Sequence, residues 1–291
     1  MKEIVIISGK GGTGKTSIIA SFAWLERNDV VVADCDVDAA NMHLLLNPDF
    51  DYPEDFYSGQ KANIDQIACS GCGKCIDVCR FDAISTINTN YNVNEIDCEG
   101  CGYCAIICPE KAIKMNETLS GKFYISQTRL KNSLVHARLK IAADNSGKLV
   151  TKVKNEAQKL VKKENKTYLL VDSAPGIGCP VIASITGANF VVIVTEPTIA
   201  GLHDMKRVHQ LIQNFKIKAG CIINKADLNI SISKKIKDYL KINNIKLLAE
   251  FPYDNSFTEA ITSGKTIIEY DKGEISALIN QSWEKIKKIV L

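Results

Sequence analysis

The sequence lacks a long apolar segment and a strong excess of charge of either sign. No apolar run approaches the roughly 20 residues that a membrane-spanning helix needs, so membrane association is not expected. The net charge is only +3, and the lysines are spread among acidic residues rather than grouped in blocks. Nucleic-acid binders are usually far more basic, so nucleic acid is not an expected partner either.

A leader pattern is also missing from the first residues. Residues 1–12 go straight into an apolar strand and a glycine loop, with no charged stretch, apolar core and cleavage site in front. Cysteine, by contrast, is frequent, with 11 residues. Because no export signal accompanies them and most stand in two tight runs, we expect thiolate ligands and a reducing, cytoplasmic location.

Two cysteine runs share one spacing. The first is Cys69-x2-Cys72-x2-Cys75-x3-Cys79, and the second is Cys98-x2-Cys101-x2-Cys104-x3-Cys108. The spacing is typical of two [4Fe-4S] clusters, because three thiolates of a tight loop hold three irons and the other run supplies the fourth ligand. The predicted ligands of cluster 1 are Cys69, Cys72, Cys75 and Cys108. The predicted ligands of cluster 2 are Cys98, Cys101, Cys104 and Cys79.

The repeat extends beyond the cysteines. CSGCGKCIDVCRFDAI and CEGCGYCAIICPEKAI both carry glycine on each side of the second cysteine and end on Ala-Ile, so each half resembles one copy of a duplicated bacterial ferredoxin unit. A pair of zinc sites is the alternative, although zinc motifs usually separate two pairs of cysteines by a long gap. Only the second run ends with the usual proline, Pro109, whereas Arg80 follows Cys79.

A glycine loop follows the first apolar strand, residues 3–8. Its sequence, GKGGTGKT at residues 9–16, matches G-x-x-x-x-G-K-[ST]. In such a loop backbone N–H groups surround phosphates, the lysine reaches the β- and γ-phosphates, and the Thr16 hydroxyl binds Mg²⁺. The predicted nucleotide-binding residues of the loop are Gly11, Gly12, Thr13, Gly14, Lys15, Thr16 and Ser17.

Acidic residues end two other predicted strands. Asp34, Asp36 and Asp38 follow residues 30–33, and Asp172 follows another apolar run. Carboxylates at strand ends would face the phosphates and can hold magnesium or water; capping of the next short helix is the alternative for any one of the first three. The alternation of strands and helices predicts an α/β fold with a doubly wound, mostly parallel sheet.

Outside the cysteine-rich segment, the chain resembles the MinD/ParA/Mrp branch of P-loop ATPases, which includes the nitrogenase iron protein. GKGGTGKT carries the resemblance, since Lys10 matches the signature lysine of the deviant Walker A loop. In this family that lysine reaches the partner's nucleotide across a dimer. The resemblance therefore implies ATP hydrolysis and ATP-dependent dimerisation, as a homodimer or as a heterodimer with a paralogue.

The same resemblance implies roles for single residues. Asp36 matches the acid that positions the hydrolytic water, Asp172 the second switch, and Asn224 the adenine-reading asparagine, while Pro252 and Tyr253 fall where the family packs the base. The implied catalytic residues are Lys10, Lys15 and Asp36. The implied Mg²⁺ ligands are Thr16, Asp36 and Asp172.

The cysteine-rich segment interrupts the ATPase pattern just after the first acidic group. We predict a discontinuous P-loop ATPase domain, residues 1–60 and 117–291, with an inserted α+β ferredoxin-like domain, residues 61–116. This combination resembles a subgroup of MinD-superfamily ATPases with an inserted ferredoxin domain. Residues 52–59 read as a loop, residues 133–142 as a strand, and residues 145–147 as a turn before a lysine-rich amphipathic helix at 150–163.

Two further features bear on the resemblance. Cys179 follows Asp172 at the spacing of a cluster ligand in the nitrogenase iron protein, so it is a candidate extra ligand, with a buried thiol at a helix start as the alternative. The C-terminal segment places Trp283 and Ile286 on one helical face, which fits a last helix packed on the sheet or a membrane-targeting tail like that of MinD. No C-terminal Cys-x-x-Cys of the Mrp-type cluster carriers is present.

Three functions follow from these patterns. The leading hypothesis is an ATPase whose nucleotide-driven dimerisation gates electron transfer through the two clusters to a redox partner protein. The second is an ATP-dependent scaffold or carrier for iron-sulfur or other metal cofactors, which would act with a metallocofactor partner. The third is a MinD/ParA-like positioning switch whose clusters sense redox state.

Overall fold

The computed structural model describes residues 1–88, 90–140 and 146–291. These residues form two compact units. The first unit contains Met1–Glu54, Phe123–Arg138 and Ser146–Leu291, and the second contains Asp55–Lys122 with the described residues 139 and 140. No helix in the described part of the chain is long and apolar enough to cross a membrane.

The strands are β1 (Lys2–Ile7), β2 (Val30–Cys35), β3 (Glu54–Ile64), β4 (Ile84–Ile87), β5 (Asn90–Val93), β6 (Ile113–Gln127), β7 (Ser133–Leu139), β8 (Tyr168–Ser173), β9 (Phe190–Thr195), β10 (Lys218–Ile223) and β11 (Lys246–Glu250). The helices are α1 (Lys15–Leu25), α2 (Met42–Leu46), α3 (Lys74–Asp77), α4 (Tyr103–Ile107), α5 (Ser146–Lys163), α6 (Cys179–Ile185), α7 (Ile199–Asn214), α8 (Ile230–Ile242), α9 (Ser256–Thr262), α10 (Ile267–Tyr270) and α11 (Glu274–Val290).

The first unit is built on a mostly parallel sheet with the strand order β11-β10-β9-β1-β8-β2-β7-β6. Parallel pairs join β1 with β8 and β9, β2 with β7 and β8, and β10 with β9 and β11. β2, β8 and β9 are buried along their whole length. Continuous apolar runs such as FVVIV form such strands because both faces of a parallel sheet are covered, and the predicted fold class is confirmed in this respect.

The apolar core of the first unit includes the last helix. Trp283 of α11 is fully buried, and its ring centroid lies 5.0 Å from that of Phe22 on α1 and 5.4 Å from that of Tyr168 on β8. The Trp283 indole N–H donates to Glu26 Oε1 at 2.8 Å, so the buried donor is satisfied. The interpretation of the C-terminal segment as a helix packed on the sheet is therefore confirmed.

Two local predictions differ from the structure. Residues 52–59, read as a loop, include the start of β3, because β3 pairs with the long strand β6 beyond the cysteine runs. Residues 146 and 147 open α5 instead of forming a turn. The end of the predicted strand at 141–142 and residue 145 of the predicted turn lie outside the described residues. The predicted domain boundaries stay a prediction; the second unit is longer than residues 61–116.

The second unit repeats one turn before each cysteine run. The side-chain oxygen of Asp65 accepts from Ile67 N at 3.0 Å, and that of Asn94 accepts from Ile96 N at 3.0 Å. The backbone oxygens of Asp65 and Asn94 also accept from the N–H of the first cysteine of each run. These turns fix where each run begins.

The two halves also share their glycine geometry. Short helices α3 and α4 follow Gly73 and Gly102, with φ of 77° and 75°. Asp82 and Lys111, at equivalent places after the fourth cysteine of each run, have φ of 50° and 51°. All four residues have a left-handed backbone, which glycine adopts at positions 73 and 102 without steric cost. The sequence repeat is thus matched by a repeat of the backbone.

Candidate functional site

The glycine loop lies between β1 and α1, at the centre of the sheet of the first unit. Gly12 and Gly14 have φ of 77° and 85°. A Cβ atom at Gly14 would lie 2.6 Å from Asn224 Nδ2 and 3.3 Å from the Phe257 ring. A side chain at this position would therefore be excluded both by backbone conformation and by space.

A cleft of about 700 Å³ opens over this loop. Its volume falls in the range of roughly 300–1,000 Å³ that is usual for small-molecule sites. The predicted residues that line it are Gly11, Gly12, Thr13, Gly14, Lys15, Thr16, Ser17, Asp36 and Asn224. The predicted residues that do not line it are Lys10, Asp172, Pro252 and Tyr253. The structure thus gathers most of the predicted nucleotide site and leaves four residues outside its lining.

Asp172 at the end of β8 contacts both functional side chains of the loop. Its Oδ1 forms an ion pair with Lys15 Nζ, and its Oδ2 accepts from Thr16 Oγ1 at 2.8 Å. Lys15 and Asp172 are both buried, so each charge compensates the other. Asp172 therefore lies beside Thr16, where the two can share a magnesium shell, although it does not line the cleft.

Of the three acids Asp34, Asp36 and Asp38, the last two line the cleft. Burial raises the pKa of Asp36 to about 6, with the positive charge of Lys15 acting in the opposite direction. Asp34 is different, since its carboxylate accepts from Asp36 N at 3.1 Å and from Met42 N at 3.3 Å, at the first residue of α2. Burial, followed by the negative charge of Asp172, raises the pKa of Asp34 to about 8. For Asp34 the capping alternative is the one that the contacts support.

The far end of the cleft is built from α9. Phe257, Thr258 and Ile261 line it, in place of the predicted Pro252 and Tyr253. Tyr253 is half exposed, and its backbone N–H donates to Asp227 Oδ1 at 2.6 Å. Phe257 was missed in the sequence, although its place in the first turn of the helix after the Pro-Tyr turn was a signal that could have found it.

Asn224 ties this end of the cleft to the loop. Its Nδ2 donates to Thr13 O at 2.9 Å, and its Oδ1 accepts from Lys225 N at 3.0 Å. The side chain is buried. Asn224 therefore fixes the loop and the turn after β10 relative to each other within the first unit.

In the second unit, two small cavities are lined by cysteines. One is lined by Cys69, Cys72, Cys75 and Cys108. The other is lined by Cys79, Cys98, Cys101 and Cys104. Each cavity thus combines the first three cysteines of one run with the fourth cysteine of the other run. These are the two sets predicted from the spacing. The backbone N–H of Ala112 donates to Cys108 Sγ at 3.4 Å.

The described residues contain no site for a single metal ion. Within the described residues, no three His, Cys, Asp or Glu side chains stand close enough together to hold a single metal ion. A structural zinc ion needs four ligands within about 2.3 Å of one point, whereas each thiolate of a [4Fe-4S] cluster binds a different iron of the cube. The two cysteine sets stay predicted cluster ligands.

Cys179 stands apart from both sets. It is the first residue of α6 and is exposed, which contradicts the alternative of a buried thiol. A Cβ atom at Gly147 would lie 3.3 Å from its Cβ, so the first turn of α5 packs against it. Its role as an extra cluster ligand stays a prediction.

Residues 4–267 match the protein family described as CobQ/CobB/MinD/ParA nucleotide binding domain. The chain belongs to this family. Similar proteins include uncharacterized protein MJ0578 of Methanocaldococcus jannaschii, which is 34% identical over 99% of this chain and 97% of the relative. Protein MJ0579 of the same organism is 27% identical over 93% of this chain and 94% of the relative.

The fold comparison agrees with this membership. The septum site-determining protein MinD of Pyrococcus horikoshii, solved in complex with Mg-ADP, matches with a TM-score of 0.60 and 20% identity over 99% of this chain and 96% of that chain. This similarity shows an α/β P-loop fold with a mostly parallel central sheet. MinD/ParA-type members of the family are ATPases. The resemblance carried by GKGGTGKT is confirmed, whereas the inserted ferredoxin domain and its clusters stay predictions.

Proposed function

We propose that the chain is an ATP-dependent switch of the MinD/ParA type, which binds ATP with Mg²⁺, dimerises and hydrolyses ATP to ADP and phosphate. The contact of Asp172 with both Lys15 and Thr16 beneath the loop carries the proposal. It joins the three side chains to which the proposal gives the roles of phosphate-binding lysine, magnesium-binding hydroxyl and second switch acid. The relatives reported above also favour a MinD/ParA-like switch over the leading hypothesis of electron transfer.

Each residue has a role in this proposal. The backbone N–H groups of the loop and Lys15 bind the phosphates. Thr16 provides the hydroxyl ligand to Mg²⁺, and Asp172 and Asp36 hold its water shell. Asp36 also faces the cleft and positions the attacking water. Mg²⁺ neutralises phosphate charge when it is bound.

Dimerisation is proposed through Lys10, which contacts the nucleotide of the second chain. The partner is a second copy of this chain or a paralogue. The two relatives in Methanocaldococcus jannaschii, both similar over more than nine-tenths of this chain, are consistent with paired paralogues.

For the second unit, we propose two [4Fe-4S] clusters held by the crossed cysteine sets. The shared turns of the two halves and the two cysteine-lined cavities support this assignment. Such clusters supply one-electron chemistry when present. In the switch they would sense redox state. Because the two sets are built in one duplicated unit, electron transfer to a partner is the second candidate function.

The nucleotide proposal is tested with Lys15→Ala. The variant should lose ATP binding by at least about 100-fold, because the lysine supplies the charge that meets the phosphates, as measured by calorimetry with Mg²⁺ and ATP. Its iron content should remain at about eight iron atoms per chain. The exposed Lys159→Ala is the control and should bind like the unmodified chain. Unchanged affinity in Lys15→Ala would contradict the site assignment.

The cluster proposal is tested with Cys101→Ser and Cys72→Ser. Each should lose roughly half of the iron and half of the reduced-cluster EPR signal, because each removes a ligand of one cluster only. Cys221→Ser, in the buried strand β10, is the control and should keep its iron. Iron that stays at the unmodified level in both ligand variants, or zinc in place of iron in protein prepared without oxygen, would contradict the assignment.

A further inference from the structure

Lys10 does not line the cleft of its own chain but contacts a carboxylate beside it. The loop residues Gly11 to Ser17 line the cleft, and Lys10 does not. Its side chain is 34% exposed, and its Nζ lies 2.8 Å from Glu196 Oε2. The lysine that would act on a partner's nucleotide is therefore held by a carboxylate of its own chain.

Glu196 directly follows β9, in the turn before α7. Its backbone oxygen accepts from Thr198 N at 2.8 Å, and a Cβ atom at Gly201 would lie 2.3 Å from the same oxygen. Thr198 caps α7 by accepting from Gly201 N at 2.9 Å. The Glu196 carboxylate therefore extends from a hydrogen-bonded turn between β9 and α7.

The same carboxylate also holds Lys225, which follows Asn224 and lines the cleft. Lys225 Nζ lies 2.5 Å from Glu196 Oε1. Burial acts to raise the pKa of Glu196, but the hydrogen bonds from Lys10 and Lys225 outweigh it and lower this pKa below its usual value. A largely buried charge that loses its only partner is costly. With Lys225 in place, Lys10 can leave without stranding Glu196.

We propose that Glu196 is a positioning residue, which holds Lys10 in the single chain and releases it when two ATP-loaded chains pair. The inference rests on the proposed ATP-dependent dimerisation. The partner's nucleotide phosphates compete with Glu196 for the Lys10 ammonium group. ADP has one phosphate fewer and competes less well, so Glu196 opposes a dimer loaded with ADP more effectively than a dimer loaded with ATP.

The dimer constant of Glu196→Gln tests this proposal. Sedimentation with Mg²⁺ and a nonhydrolysable ATP analogue should give a dimer dissociation constant about fivefold lower than in the unmodified chain, because two partly exposed ion pairs no longer have to be broken. The variant should also dimerise measurably with ADP. Glu284→Gln removes an exposed ion pair with Lys287 and is the matched control, with no expected change. An equal or higher constant in Glu196→Gln overturns the proposal.

A second measurement needs no nucleotide. The acetylation rate of Lys10, followed by mass spectrometry on the nucleotide-free chain, should rise at least about threefold in Glu196→Gln, because its ion pair is lost. The exposed Lys159 should react at the same rate in both proteins. A purely structural role of Glu196 would not change Lys10 selectively, and unchanged Lys10 reactivity overturns the proposal.

The outcomes separate the two levels of inference. If the unmodified chain does not dimerise with the ATP analogue, the proposed function fails and the release step fails with it. If the unmodified chain dimerises and Glu196→Gln behaves identically, only the role of Glu196 fails. Should Glu196→Gln not fold, Glu196→Asp withdraws the carboxylate by one methylene and should change both measurements in the same direction.

Discussion

Asp34 and Asp36 lie two residues apart but have different surroundings. Asp34 is buried and accepts from the backbone N–H of Asp36 and from that of Met42 at the start of α2, whereas Asp36 lines the cleft. The raised pKa of Asp36, about 6, leaves most of its carboxyl group ionised at neutral pH and able to accept a proton from bound water. Of the two, Asp36 is the residue that we propose for the hydrolytic step.

Asp36→Asn should therefore bind ATP but turn it over at least about 100-fold more slowly, because general-base assistance to water is lost. The ATP-loaded dimer should accumulate, since hydrolysis no longer resolves it. Phosphate release and light scattering on the same sample measure both effects. Asp38→Asn, which alters another acid of the cleft, is the comparison. Undiminished hydrolysis in Asp36→Asn would move the role to Asp38.

At the scale of elements, α10 is anchored by one carboxylate. Glu269 closes a capping box with Thr266 at the start of α10 and forms a bidentate ion pair with Arg129, which follows β6, at 2.7 and 2.6 Å. Arg129 also donates to Leu45 O at 2.9 Å. Burial acts to raise the pKa of Glu269, but the hydrogen bonds from Arg129 and Thr266 lower it to about 2.

This geometry gives a pH dependence with a definite sign. Because the folded pKa of Glu269 is depressed from 4.5 to about 2, its stabilising contribution is present above pH 4.5 and is lost as pH falls towards 2. Glu269→Gln should lower the free energy of unfolding by about 1–2 kcal/mol at pH 7. The difference from the unmodified chain should shrink below pH 4.5. Urea unfolding at pH 7 and pH 3 measures it, and a pH-independent difference would be the contrary result.

The same scale shows what the sequence could predict. The buried strands were predictable because uninterrupted apolar runs occur where both faces of a sheet are covered. The amphipathic pattern of α5 was predictable too, but its lysines do not all form a solvated face. Lys154 is buried, with Nζ 2.7 Å from Glu3 Oε1 and 2.7 Å from Ser184 O. Its partners come from β1 and α6, and such distant pairings cannot be read from helical periodicity.

The cleft shows the same division between local and distant information. The glycine loop was predictable from local spacing because its residues are consecutive in the chain. The end of the cleft at α9 was not predictable, since the turn at Pro252 and the start of α9 lie side by side in sequence and only packing decides which of them reaches the cleft. Phe257 lies within reach of Gly14, whereas Tyr253 is half exposed.

At the scale of the whole molecule, the chain combines a P-loop ATPase fold with a second unit that carries a duplicated cysteine pattern. Family membership follows from the match over residues 4–267. The mostly parallel sheet of the first unit was predictable from the alternation of strands and helices in the sequence, whereas the order of its strands was not. Cys79 and Cys108 each line the cavity of the other run. This exchange was predictable only because the two runs repeat the same spacing.

In the proposed switch, ATP controls whether two chains associate into a dimer. The most direct test is the molar mass of the intact protein, purified without oxygen and measured by light scattering after gel filtration with Mg²⁺ and either ADP or a nonhydrolysable ATP analogue. We expect the mass of one chain, near 32.0 kDa, with ADP and twice that mass with the ATP analogue. The same mass with both nucleotides, while ATP still binds, would contradict the switch.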